Sequence, residues 1–105
     1  MTCKTNNIIY LITCSKCNIQ YVGETGRCLA ERLTDHRSNI ARKKETPISI
    51  HFNKPGHSTL RDLKAIAIEK ISDRDDPLRK RKIQESVWQK KLGTIHPLGL
   101  NCYPI

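Results

Sequence analysis

The chain has 105 residues, enough for one hydrophobic core and too few for two. Only 37% of residues are apolar, and nineteen basic residues against ten acidic ones leave a formal charge of +9. No apolar run approaches the ~20 residues of a membrane-spanning helix, and a basic excess of this size points to a polyanionic partner, most commonly nucleic acid. Five cysteines, an odd number, with no secretory leader pattern ahead of them argue for metal ligation or free thiols over a disulfide framework. The chain reads as intracellular.

Residues 8–13 alternate Ile8, Tyr10 and Ile12 with Ile9 and Leu11, the pattern of a strand covered on both faces. A polar turn at 14–18 leads into residues 19–22, expected to form its hairpin partner. From about Cys28 to Lys43 the period becomes helical, with Leu29, Leu33, His36 and Ile40 on one face. Pro47 opens a short element, Pro55-Gly56 makes a turn, and residues 63–71 read as a third strand. Asp73 to Asp76 ahead of Pro77 signals a helix start, and Gly93 marks its end. The tail through Pro97, Gly99 and Pro104 reads as extended or irregular. The expected fold is a single α+β domain over 1–105, with a three-stranded, largely antiparallel sheet flanked by helices.

Cys14 and Cys17 form a Cys-x2-Cys pair on the hairpin turn, a spacing that lets two thiolates reach one ion. His51 and His57 lie downstream in "HFNKPGH", where the Pro-Gly turn can fold the second imidazole towards the first. Together they suit a structural Cys2His2 zinc site, with Cys3 as a competing ligand. The alternative is two buried free thiols and two surface histidines. Cys28 and Cys102 read as small core residues.

Arg32 and His36 stack on one helix face and point towards the sheet that carries Tyr10 and Tyr21. A snorkelling arginine and a hydrogen-bonded core histidine would account for the same pattern. Glu85 shares a face with Trp88 and Leu92, either as a solvated glutamate or as a ligand for a hard cation such as Mg2+ or Mn2+. Two tyrosines, an arginine, a histidine and a carboxylate make a phosphodiester-hydrolysing set. A tyrosine in it acts as base only if its phenol loses a proton near neutral pH, which Arg32, the cation and His36 would favour.

"IIY" at 8–10 and "YVG" at 21–23 resemble the paired signature of GIY-YIG endonucleases, with Ile8 where the leading glycine usually stands. Arg32 and His36 match the family's Arg-x3-His, Glu85 in "ESVW" its metal-binding glutamate, and Asn101 in "GLN" its C-terminal asparagine. The resemblance implies a single-metal DNA hydrolase with Tyr10 as base, Tyr21 positioning water or phosphate, and Arg32 stabilising charge. "YVGETGRCLAERLTDHRSNI" and the cysteine and histidine pairs are similar to the version carried by Penelope-like retroelements, with a CCHH motif woven through the nuclease. That branch implies DNA nicking in transposition and a reverse transcriptase domain in the parent polyprotein. The chain is expected to be nuclear and monomeric, and a single site should cut one strand, so cutting both needs a dimer or paired action. Two rivals stay open: a zinc-stabilised nucleic-acid-binding module without catalysis, and a protein-interaction module using the basic surface. Arg42-Lys43-Lys44, Arg79-Lys80-Arg81-Lys82 and Lys90-Lys91 would serve any of the three.

Overall fold

The computed structural model describes residues 1–102, apart from the side chain of Leu60; Pro104 of the tail lies outside them. Strand β1 (Ile8–Cys14) is the centre of a three-stranded sheet, flanked by β2 (Gln20–Thr25) and β3 (Leu63–Lys70), both antiparallel to it. Helices α1 (Leu29–Ala41), α2 (Pro47–Phe52) and α3 (Thr59–Asp62) separate β2 from β3, and α4 (Pro77–Leu92) follows. The expected α+β class and sheet are observed. Strand β2 runs beyond residue 22 because Val22 to Thr25 pair with Leu11 to Ile8. Helix α3, capped by Ser58, has no counterpart in the expected elements, since four residues do not complete a hydrophobic period.

The two-sided burial expected of β1 holds. One sheet face packs Ile8, Tyr10 and Ile12 against Leu29 and Ile40 of α1 and Ile48 and Phe52 of α2. The other gathers Ile9, Val22 and Ile71, with Leu11, Ile68 and Trp88 around them. Thr46 caps α2 by accepting the Ser49 N–H at 3.3 Å, and Asp76 caps α4 by accepting that of Arg79 at 3.2 Å. Gly93, at φ 65°, ends α4 where the sequence placed its stop.

Two expectations need correction. No residue of α4 is fully buried, and Leu92 is exposed, so Glu85 does not sit on an apolar face. The side of α4 towards the sheet carries Arg81, Gln84, Glu85 and Trp88, and polar contacts to β2 and β3 hold it there. Cys28 is buried as expected, but Cys102 is exposed: it has a left-handed backbone (φ 58°) just past the segment that packs on β2. Among the described residues no helix is long and apolar enough to cross a membrane.

Candidate active site

The register of the hairpin places Tyr10 opposite Gly23. The absence of a side chain at Gly23 is what lets the phenol lie there. A Cβ at that position would come within 2.8 Å of Tyr10 Cε1, and closer still to Cζ and the phenol oxygen. The ring is fully buried, and its hydroxyl meets two residues of α1: His36 Nε2 at 2.8 Å and Arg32 Nε at 3.2 Å. Arg32 donates to the phenol oxygen, and a neutral His36 with its hydrogen on Nδ1 can accept the phenol's own hydrogen at Nε2. Tyr21 stands edge-on to the same imidazole, with ring centroids 6.0 Å apart. Asp35 reaches Arg32 Nη1 at 3.6 Å and also pairs with Arg27. Arg32, His36, Tyr10 and Tyr21 thus converge as the helical spacing indicated.

Burial pushes the phenols of Tyr10 and Tyr21 above their ordinary value; Arg32 pulls both the other way, with less effect. The uncomplexed site therefore holds a protonated Tyr10. Burial also lowers His36 to about 4, with help from Arg32, which keeps the imidazole neutral and able to accept. Arg32 stays charged: burial opposes its charge, but the two tyrosines and Asp35 outweigh it.

A folded state that keeps His36 neutral to about pH 4, against an ordinary value of 6.5, is penalised once the unfolded chain takes up that proton. Its contribution is fully present above pH 6.5 and lost as pH falls towards 4. Relative to His36→Gln, the parent should lose roughly 2–3 kcal/mol of stability between pH 7.5 and 4.5, read from urea midpoints. A difference independent of pH would show that His36 titrates normally.

Glu85 acts on the two tyrosines of this cluster through its charge, from α4 beside β2. The free edge of β2 exposes backbone groups which other segments cover in order. Leu100 N–H donates to Gln20 O at 2.9 Å. Asn101 acts as a strand partner, accepting from Val22 N–H and donating to Val22 O, both at 2.8 Å. Thr94 donates its hydroxyl to Asn101 Oδ1 at 2.6 Å. The backbone of Glu24 lies close enough to the Glu85 carboxylate to favour its charged form. Burial raises Glu85 above the usual carboxylate range, against the pull of Lys82, and its charge is felt by both tyrosines.

Cys14, Cys17, His51 and His57 converge, with one donor atom from each all within 4.8 Å of one another. Cys17 Sγ lies 3.4 Å from His51 Nε2 and 3.9 Å from His57 Nε2. Tetrahedral zinc at ordinary bond lengths separates sulfur from nitrogen by about 3.6 Å, so the four donors fit that ion. The turn is built for it: Cys14 N–H donates to Ile19 O and Asn18 N–H to Cys14 O, while Lys16 Nζ ties the turn to Gly56 O at 2.7 Å. His51 is pushed down to about 4 by burial, then by His57 and Lys54, leaving the neutral imidazole a metal requires. Cys3 is exposed and stands outside the group.

Among the described residues no other three His, Cys, Asp or Glu side chains gather in this way. Glu85 would therefore give a hard cation a single protein carboxylate, as suits Mg2+, which keeps water and phosphate oxygens as its other ligands. The spacing patterns found the tyrosines, Arg32, His36 and the Cys/His set. They missed Thr94 and Glu24, which carry no periodic signal because each acts through a contact distant in sequence or a local turn.

A three-stranded antiparallel sheet with paired tyrosines facing an Arg-x3-His helix defines a nuclease-like catalytic fold. The chain belongs to the GIY-YIG catalytic domain family, which it matches over residues 6–98. Its fold is similar to that of the catalytic domain of homing endonuclease I-TevI, with a TM-score of 0.71 at 22% identity. The alignment covers 91% of this chain and 97% of that one. No curated protein sequence matches the chain.

Proposed function

We propose that this chain is a metal-dependent DNA endonuclease that hydrolyses one phosphodiester bond per event and so nicks one strand. The observation that carries the reading is the Tyr10–His36–Arg32 hydrogen-bonded cluster, with the Glu85 carboxylate close enough to act on both tyrosines. The formal charge of +9 suits a DNA substrate.

In this mechanism Tyr10 takes a proton from water as it passes its own to His36 Nε2, along the existing 2.8 Å hydrogen bond. The water oxygen bonds to phosphorus, the bond to the leaving oxygen breaks, and that oxygen takes a proton from solvent. A neutral acceptor beside the phenol removes the need for a free phenolate before attack. Arg32 offsets the extra negative charge of the transition state while staying anchored to the phenol. Tyr21 orients water or phosphate at the edge of the imidazole. Asn101 acts indirectly, by fixing the edge of the strand that carries Tyr21 and Gly23. A divalent cation, Mg2+ or Mn2+, would be held by Glu85 and supply charge that polarises the phosphate and stabilises the leaving oxygen.

The Cys14, Cys17, His51 and His57 set is assigned to structural zinc. It ties the hairpin turn to α2 and touches no substrate. Together with the motif resemblance it supports a Penelope-like retroelement origin, in which nicking would serve transposition in the nucleus. The second reading, a zinc-stabilised binding module, is favoured only by the elevated phenol of Tyr10.

Arg32→Ala and Glu85→Gln separate the two readings. Each should lower plasmid cleavage by about 10²-fold or more while gel-shift affinity for the same DNA stays within a few-fold. Variants that cleave as the parent does would sink the mechanism.

A further inference from the structure

Helix α4 carries Glu85 yet buries no residue completely, so apolar packing alone does not fix where that carboxylate stands. Polar contacts do. Glu24 on β2 and Glu69 on β3 both pair with Ile9 of β1, forming one Glu–Ile–Glu row across the sheet. Glu69 accepts from Trp88 Nε1 at 2.8 Å and from Gln84 Nε2 at 2.9 Å. Glu24 takes Arg81 Nε on one carboxylate oxygen at 2.9 Å and Lys82 Nζ on the other at 2.8 Å. Arg81 continues to Asn7 Oδ1 and lies against Gly26, locking the helix to the far end of the hairpin.

The Glu24 carboxylate is well shielded, at 13% exposure. Its two partners precede Glu85 by four and three residues, so all three project from one side of the helix. The same residue's backbone lies beside the Glu85 carboxylate and favours its charged form. Glu24 therefore anchors the stretch of helix that bears Glu85 and stands beside its carboxylate.

We propose that Glu24 is the positioning residue for the cation-binding carboxylate, its side chain bracing Arg81 and Lys82 so that Glu85 meets the edge of β2 beside the tyrosines. Glu69, across β1 in the same row, is the counter-brace through Gln84 and Trp88. The proposal rests on the reading of Glu85 as the ligand of the catalytic cation.

The test measures Mn2+ binding by calorimetry on the zinc-replete full chain, since the thiolate-rich site prefers zinc. Fluorescence of Trp88, the single tryptophan, reports the seating of α4. The parent should bind Mn2+ at a site that Glu85→Gln removes. Glu24→Gln should weaken that binding about 10-fold, as loss of an outer-sphere partner does, and cleavage should recover as Mn2+ is raised. If Glu24→Gln does not fold, Glu24→Asp keeps the charge but draws it back by one methylene. It should weaken binding about threefold or more. Parent-like Mn2+ affinity in the folded Glu24 variant, whatever its melting temperature, would reduce Glu24 to an ordinary structural ion pair and overturn the proposal. Identical titrations of parent and Glu85→Gln would instead remove the reading of Glu85 itself, and the proposal with it.

Discussion

Replacing Gly23 with alanine is expected to abolish most cleavage. The added methyl meets the phenol ring of Tyr10, and the ring has nowhere to go. It is fully buried, lies in the same packed layer as Leu29 and Ile40, and is tethered by its hydroxyl to His36 and Arg32. Moving the ring breaks both hydrogen bonds; moving β2 instead disturbs the edge to which Asn101 attaches. Displacements near 1 Å at a reacting group lower rates by about 10²-fold, and overpacking a core of this kind destabilises by about 1–3 kcal/mol. Initial cleavage rates and a melting curve of Gly23→Ala check both effects. Near-parental cleavage would mean that the position of Tyr10 is unimportant.

Removing the Cys/His metal should have the largest effect on stability. Two donors come from the end of β1 and the turn after it, and two from the last turn of α2 and the loop after it, more than thirty residues on. Without an ion, two thiols and two imidazoles crowd within one small volume, with one donor atom from each inside 4.8 Å of the others. Metal binding to small zinc folds contributes about 10–16 kcal/mol. Much of this domain's core lies elsewhere, so a smaller share is expected here. A loss of about 3 kcal/mol corresponds to at least about 10 °C in melting temperature for a chain of this size. Chelation of the purified protein, or Cys17→Ser, should show that drop, and zinc content near one ion per chain should vanish with it. An unchanged melting temperature after complete chelation would exclude a structural role.

Much of the site was legible because its residues obey local periods. His36 falls within the Leu29–Ile40 stripe, so its inward direction followed from the helical repeat alone. Cys-x2-Cys and the Pro-Gly turn between the histidines carried the convergence of the Cys/His cluster in the same way. The docking of α4 was not legible. An apolar face around Glu85 was expected from Trp88 and Leu92, whereas the contacts are Arg81 and Lys82 to Glu24, and Gln84 and Trp88 to Glu69. Ion pairs fifty or more residues apart leave no trace in a hydrophobic pattern. The reason for Gly23 was hidden too: it depends on hairpin register, which places the tyrosine across from the glycine. The expectation for Cys102 failed because the chain turns outward immediately after Asn101, and composition does not record a turn of that kind.

Conversion of supercoiled plasmid to open circles tests the central claim most directly. The zinc-loaded parent should produce open circles with Mg2+ or Mn2+, none without added divalent cation, and none in the Glu85→Gln variant under either condition. Cleavage that proceeds equally in the absence of divalent cation, or equally in Glu85→Gln, would contradict the account.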